Sequence, residues 1–332
     1  MFIHTLVILI YVDDIILTGS SSVHLSQLLT FLKSQFAIKD LDPLHYFLGV
    51  EVHSSFDCLH LSQTKYIRDL LQKTGMLDSK PLPTPLAHGS LSQHDGLPLS
   101  SATEYRSILG ALQYCTLTRF DISFAVNKLC QFMHAPTDVH LKAVKHVLRY
   151  LKGTGHYGLS LHCHSAPSLV CYTDADWASC PDDRRSISSY CVFFGNNLIS
   201  WSSSKQKVVS CSSTESEYRA LANGAAELSW IQSLHELHLP LSAPPILYCD
   251  NISTLRLASN PVLHSRTKHV EIDQHFVCEK VARHAVQLAY ALTAEQIVDC
   301  LTKPLVTARF QELRFKLTIL PRPVRLRGDV KQ

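Results

Sequence analysis

Val7-Ile8-Leu9-Ile10-Tyr11-Val12-Asp13-Asp14-Ile15-Ile16-Leu17, closed by Thr18-Gly19-Ser20, sets two adjacent carboxylates inside a run of aliphatic and β-branched residues. The pattern predicts a strand, a tight turn carrying both acids, and a returning strand. Burying an isolated carboxylate is costly, so acids placed this way call for a partner, commonly a metal ion. The apolar opening Phe2 to Ile10 has no basic leader and no small-residue cleavage site. Asp13-Asp14 interrupts it well short of the roughly 18–20 residues that a membrane span needs, so a buried strand is expected.

Outward from this hairpin, the chain of 332 residues has room for about two to three domains. With 46% hydrophobic and 18% charged residues it predicts a packed core and excludes a disordered chain. The formal charge of +3 does not select a partner, because basic residues can be concentrated in one groove. Eleven cysteines are scattered without a Cys-x-x-Cys pair. His162-Cys163-His164 lacks a second cluster at ligand spacing, so reduced, buried thiols in an intracellular protein are expected rather than structural zinc.

Residues 1–80 form a first unit. Leu25, Leu28, Leu29 and Leu32 have helical spacing, Leu44 to Val52 reads as one strand, and Leu59-His60-Leu61 as another. Tyr66, Ile67, Leu70 and Leu71 mark an amphipathic helix ending near Gly75. Pro81, Pro83, Pro85 and Pro98, with serines and glycines between them, predict a linker over 81–100. Three apolar stripes follow in a helical connection over 101–166: Ile108, Leu112 and Cys115; Ile122, Val126 and Leu129; Leu141, Val144, Leu148 and Leu151. Lys142, Lys145, Arg149 and Lys152 sit off the last stripe, as a solvated face or a phosphate ridge.

A further unit spans 167–305, with a tail over 306–332. Ser168 to Thr173 is strand-like, Ser189 to Gly195 and Leu198 to Ser202 form a hairpin turning at Gly195-Asn196-Asn197, Thr214 to Glu236 is helical, and Pro245 to Cys249 is a strand. Mixed strands and helices imply an α/β (α+β) unit with helices packed on a mixed sheet. Asp174 and Asp250 follow strands, Glu217 lies in the first turns of the long helix, and Asp299 belongs to a C-terminal helix with Ile297, Val298 and Leu301. Acids converging at one end of a sheet are what two ions about 3.5–4 Å apart require to activate water and stabilise a leaving oxygen. Each acid also has a plain structural reading. Asp174 can close a strand, Glu217 can complete a capping box with Thr214 (Ser212 with Glu215 offers another), Asp250-Asn251 can cap a helix, and Asp299 can be a surface acid.

The hairpin resembles the catalytic hairpin of reverse transcriptases. Tyr172-Thr173-Asp174-Ala175-Asp176-Trp177-Ala178, Cys180-Pro181-Asp182-Asp183-Arg184-Arg185-Ser186, Ile199-Ser200-Trp201-Ser202-Ser203, Ser213 to Leu221, Tyr248-Cys249-Asp250-Asn251, Arg266 to Ile272 and Leu301-Thr302-Lys303-Pro304-Leu305 resemble the ribonuclease H domain of plant copia-type retrotransposon Pol polyproteins. Tyr46 to Val52, Leu61 to Ile67 and Leu148 to Thr154 resemble the polymerase and connection regions of the same family, so the likeness covers nearly the whole chain in order. Phe120 stands where the family usually has proline. Ser179 and Ser189 replace usual glycines, so strained turns are expected there if φ is positive.

The resemblance implies a reverse-transcriptase palm remnant, a helical connection and a ribonuclease H-like domain with a mixed five-stranded sheet. It implies that Asp174, Glu217, Asp250 and Asp299 hold two Mg²⁺ (or Mn²⁺) ions for hydrolysis of the RNA strand of an RNA–DNA hybrid. Asp13 would hold a polymerase metal, with Asp14 its neighbour. Lys205, Lys207, Arg184 and Arg185 are candidates for touching phosphates. No candidate for the polymerase's second aspartate precedes Asp13, so primer extension by this chain alone is not expected. The alternatives are a catalytically dead relic that at most binds nucleic acid, and a polymerase completed in trans. Partners would be nucleic acid and other Pol or Gag fragments, with no membrane. The expected location is cytoplasm, nucleus or a virus-like particle.

Overall fold

The computed structural model describes residues 5–163, 167–233, 241, 243–260 and 270–323. The opening segment forms strands β1 (Leu6–Tyr11) and β2 (Asp14–Gly19), paired antiparallel with Tyr11 opposite Asp14, so Val12 and Asp13 make the turn. The expected burial is not seen. Ile8, Leu9 and Ile10 are about half exposed, because β1 and β2 form a sheet of their own, and the helix α1 (Ser22–Gln35) has no buried residue. A two-stranded sheet buries little on either face.

Next come β3 (Tyr46–Phe47), β4 (Val50–Ser54), β5 (Cys58–Ser62) and helix α2 (Thr64–Lys73). The stretch 44–52 is therefore a hairpin and not one strand. Leu48 and Gly49 both have positive φ, 45° and 76°, and reverse the chain between Phe47 and Val50. Helices α3 (Thr103–Cys115), α4 (Ser123–Cys130) and α5 (Asp138–Thr154) carry the three apolar stripes. Residues 81–100 run along α5: Leu97 N–H donates to Asp138 (2.8 Å), Leu99 N–H to the Pro136 carbonyl (3.0 Å), and Leu82 N–H to the Arg149 carbonyl (3.3 Å).

Strand β6 (Tyr157–His162) pairs with β5, at the end of a stretch whose pattern had predicted only helix. The 167–305 stretch supplies β7 (Leu169–Asp176), β8 (Ile187–Phe194), β9 (Asn197–Lys205), α6 (Ser213–Ser233), β10 (Ile246–Cys249), α7 (Ile252–Ser259), α8 (Glu271–Ala282), β11 (Gln287–Tyr290) and α9 (Asp299–Thr302). The motif residues 266–269 and the end of the predicted helix, 234–236, lie outside the described residues, as does His164. Residues 306–321, expected as a tail, form α10 (Thr307–Lys316) and β12 (Ile319–Pro321), which pairs with β6 and buries Phe310, Leu313 and Ile319.

Two five-stranded sheets result, ordered β12-β6-β5-β4-β3 and β11-β10-β7-β8-β9. In the second, β8 is antiparallel to β7 and β9, while β10 and β11 run parallel to β7. The fold is mixed α/β, with a ribonuclease H-like sheet as expected. Helices α6, α7 and α8 cover one face around Cys171, Leu221 and Leu247. The other face meets the α3–α5 core, with Ile187, Cys191 and Leu198 in one cluster with Leu129, Leu151 and Leu301. Phe120 fills the position where the family usually has proline, its ring 4.8 Å from that of Trp201.

Gly224 fixes how closely α6 approaches this sheet. A Cβ there would lie 2.6 Å from Thr173 Cγ2 and 3.0 Å from Cys171 Sγ. Gly224→Val is expected to push α6 off β7, at a cost of about 1–3 kcal/mol in urea unfolding. Glu217 on α6 would move with it, so any metal-dependent stabilisation should fall too.

Candidate active site

β7 ends in Asp174-Ala175-Asp176, and β10 runs straight into Asp250, so two parallel neighbouring strands deliver acids at the same sheet end. The overlapping capping boxes resolve in favour of Ser212. Glu215 N–H donates to Ser212 Oγ (3.2 Å), and Cys211 N–H donates to Glu215 Oε2 (2.7 Å). Arg219 also donates to Glu215, at 2.6 Å. Glu217 is thereby left to face the sheet. Asn251 caps α7 by accepting from Thr254 N–H (3.0 Å), which likewise leaves Asp250 without a capping role.

One ligand atom from each of Glu217, Cys249 and Asp250 lies within 4.8 Å of the others. Asp174 stands beside them, 4% exposed, and Thr302 Oγ1 donates to its Oδ2. Asp299 opens α9 and is also buried, with Lys303 Nζ 2.7 Å from Oδ1. The one-turn α9 is held by a latch: Ser189 Oγ and Ser203 Oγ both donate to the Leu301 carbonyl, at 2.7 and 2.6 Å. Ser189 thus sits in regular strand, and neither it nor Ser179 has positive φ. The left-handed residues nearby are Ala178 (53°) and Arg184 (58°).

The electrostatics follow from this crowding. Burial pushes the Asp174 carboxyl up to about 6, with Asp299 and Asp250 adding to the rise and Lys303 and Thr302 opposing it. Burial, then Asp174 and Asp250, push Glu217 up to about 9. Burial and Asp299 also raise Asp250. For Lys303, burial works against the charge, but Asp174 and Asp299 outweigh it and hold the ammonium protonated.

An acid whose folded pKa is raised stabilises the fold below its ordinary pKa and loses that contribution as pH climbs through the folded value. Without a cation the protein should therefore lose stability as pH rises from about 4.5 toward 9. A divalent ion must displace those protons, so its stabilising effect should grow over the same window. The melting temperature with and without Mg²⁺ at about pH 5.5 and 8.5 measures this; an equal or larger gain at the lower pH would contradict it.

Lys303, Thr302 and Cys249 are parts of the site that spacing had not singled out. Their signal was sequence adjacency, since Cys249 precedes Asp250 and Thr302-Lys303 follow Asp299 by one helical turn. Several candidate phosphate contacts are engaged instead: Lys205 Nζ lies 2.8 Å from Asp183, Arg185 pairs with the same acid at 3.6 Å, and Lys142 pairs with Asp138 at 2.8 Å. Asp13 and Asp14 are both exposed on the hairpin, and neither belongs to the group of three donors, Glu217, Cys249 and Asp250, whose ligand atoms lie within 4.8 Å of one another. Val12, in the same turn, has φ +50°, unusual for a β-branched residue, and such strain clusters at functional sites.

The second sheet, with acids at the ends of two neighbouring parallel strands, defines a ribonuclease H-like fold. The reverse transcriptase (RNA-dependent DNA polymerase) family matches residues 2–88. The chain is 48% identical over 313 residues to the retrovirus-related Pol polyprotein from transposon RE1 of Arabidopsis thaliana, covering 94% of this chain and 21% of the polyprotein. An uncharacterized mitochondrial protein of Arabidopsis thaliana is 51% identical over 223 residues, 67% of this chain and 93% of that protein. The foamy viral protease-reverse transcriptase dRH in complex with double-stranded DNA superposes with a TM-score of 0.50 at 18% identity, over 86% of this chain and 46% of that one. The chain belongs to the copia-type retrotransposon Pol family, as its motifs implied. It spans about a fifth of the length of the curated polyproteins it matches, 21% and 22%. Among the described residues, no helix is long and apolar enough to cross a membrane.

Proposed function

We propose that this Pol segment hydrolyses the RNA strand of an RNA–DNA hybrid in a divalent-metal-dependent reaction. The observation that carries the reading is the crowding of acids at one sheet end: Glu217 and Asp250 bring ligand atoms within 4.8 Å of each other, and the charges of Asp174, Glu217, Asp250 and Asp299 act on one another. The donor set fits Mg²⁺ or Mn²⁺: these are hard ions that take oxygen ligands, and the site crowds carboxylates whose mutual repulsion a cation relieves. Asp174, Glu217, Asp250 and Asp299 are the residues that would hold two such ions. When bound, the ions would activate the attacking water and stabilise the leaving oxygen.

The chain's own contribution is positioning and charge. The Thr302 hydroxyl fixes the rotamer of Asp174, and the Ser189 and Ser203 hydroxyls hold α9 so that Asp299 faces the other acids. Lys303 keeps a positive charge beside Asp299, where it offsets carboxylate repulsion and attracts a phosphodiester. Nucleic acid as the substrate class is supported by the duplex DNA held by the foamy viral relative of similar fold. The hairpin at Asp13 and Asp14 would belong to the polymerase site of the longer polyprotein.

The test is incubation of the purified chain with an end-labelled RNA–DNA hybrid in Mg²⁺. RNA fragments with 5′-phosphate and 3′-hydroxyl ends, and an intact DNA strand, are expected. A chain that binds Mg²⁺ and hybrid but leaves the RNA whole would favour a binding module instead.

A further inference from the structure

Cys249 distinguishes this site from one built of carboxylates alone. Its side chain is fully buried, and Sγ lies 4.0 Å from Glu217 Oε2, while Asn251 N–H points at Sγ from 3.4 Å. With Asp250, these residues set one sulfur and two carboxylate oxygens within 4.8 Å of one another. A tetrahedral zinc with bonds of about 2.0–2.3 Å has ligand atoms about 3.5 Å apart, so Cys249 and Glu217 must close by about 0.5 Å, and the widest pair by no more than about 1.3 Å, to bind one ion.

We propose that Glu217, Cys249 and Asp250 form a binding site for a thiophilic divalent cation such as Zn²⁺ or Cd²⁺. Mg²⁺ selects oxygen and keeps its waters, whereas zinc-like ions select thiolate, so the same pocket sorts cations by softness. Binding forms one metal–sulfur bond and metal–oxygen bonds to Glu217 and Asp250, and releases to solvent the thiol proton together with any proton held on the two carboxyl groups. Because Glu217 and Asp250 are shared, the thiophilic ion and a catalytic Mg²⁺ exclude each other. That consequence, an inhibitory soft-metal site, rests on the ribonuclease reading, while the metal–thiolate bond itself does not.

Cadmium titration of the full chain, followed by ultraviolet sulfur-to-cadmium charge transfer, tests the bond directly. Cys163 and Cys211 are exposed and should be changed to serine in the parent to remove their signal. The parent is expected to show a step saturating at one equivalent, suppressed by excess Mg²⁺ and absent in Cys249→Ser. Asp250→Asn keeps the thiol and should need at least tenfold more Cd²⁺, which guards against misfolding of the cysteine variant. Identical titrations for the parent and a folded Cys249→Ser would overturn the proposal. If the step is present but the hybrid is not cleaved, the ribonuclease reading fails and the thiolate site stands.

Discussion

Asp174→Asn is expected to lower Mg²⁺-dependent cleavage of a hybrid's RNA strand by at least about a hundredfold while leaving the chain folded. Losing a residue that only orients a metal ligand costs about 10–100-fold, so losing a ligand itself should cost no less. The substitution preserves shape. Asn retains an oxygen for the Thr302 hydroxyl, which donates to Asp174, and removes one charge from a cluster whose carboxylates repel one another. The metal-free protein should therefore be as stable as the parent or more so near neutral pH, while the gain in melting temperature on adding Mg²⁺ shrinks. Lost cleavage with the full metal-induced gain retained would remove Asp174 from the proposed metal site.

The second large effect lies away from the site. Arg119, fully buried, donates from Nε and Nη2 to both carboxylate oxygens of Asp121 at 3.0 and 2.9 Å, and from Nη1 to the Thr154 carbonyl at 2.6 Å. Tyr150 donates to the same carboxylate, and Arg314 on α10 donates to the Tyr150 hydroxyl at 3.1 Å. One network ties the segment before α4 to the end of α5 and to α10. Arg119→Ala leaves the Asp121 charge buried without its partner and should cost about 3–5 kcal/mol in urea unfolding. Because an apolar pair avoids the stranded charge, Arg119→Met with Asp121→Leu should recover part of that loss. A single substitution costing under about 1 kcal/mol would show that the network holds little.

What was legible in the sequence depended on how local its cause was. The hairpin around Asp13-Asp14 was readable because both strands and the turn lie within 14 residues. The long helix was readable from its own period, but the role of Glu217 was not. Thr214 and Ser212 offer overlapping capping boxes, and only the point where the helix starts assigns Glu215 to the cap. The reversal at Leu48-Gly49 lacks the Asn-Gly signal of a two-residue turn, so the strand on either side read as continuous. β12 pairs with a strand some 160 residues earlier, and β12 contains Pro321, which a strand tolerates at its edge. No local pattern announces that pairing. The exposure of β1 and β2 was equally invisible, since the hydrophobic pattern predicts burial without supplying a neighbour to cover it.

The most direct measurement compares the purified chain with its Asp174→Asn/Asp250→Asn variant on a labelled RNA–DNA hybrid and on the matching DNA duplex, both in Mg²⁺. Cleavage of the RNA strand alone by the parent, lost in the variant, is the predicted result. RNA cleavage that persists in the variant, or no cleavage by a folded parent, would contradict the assignment of this carboxylate cluster as a ribonuclease centre.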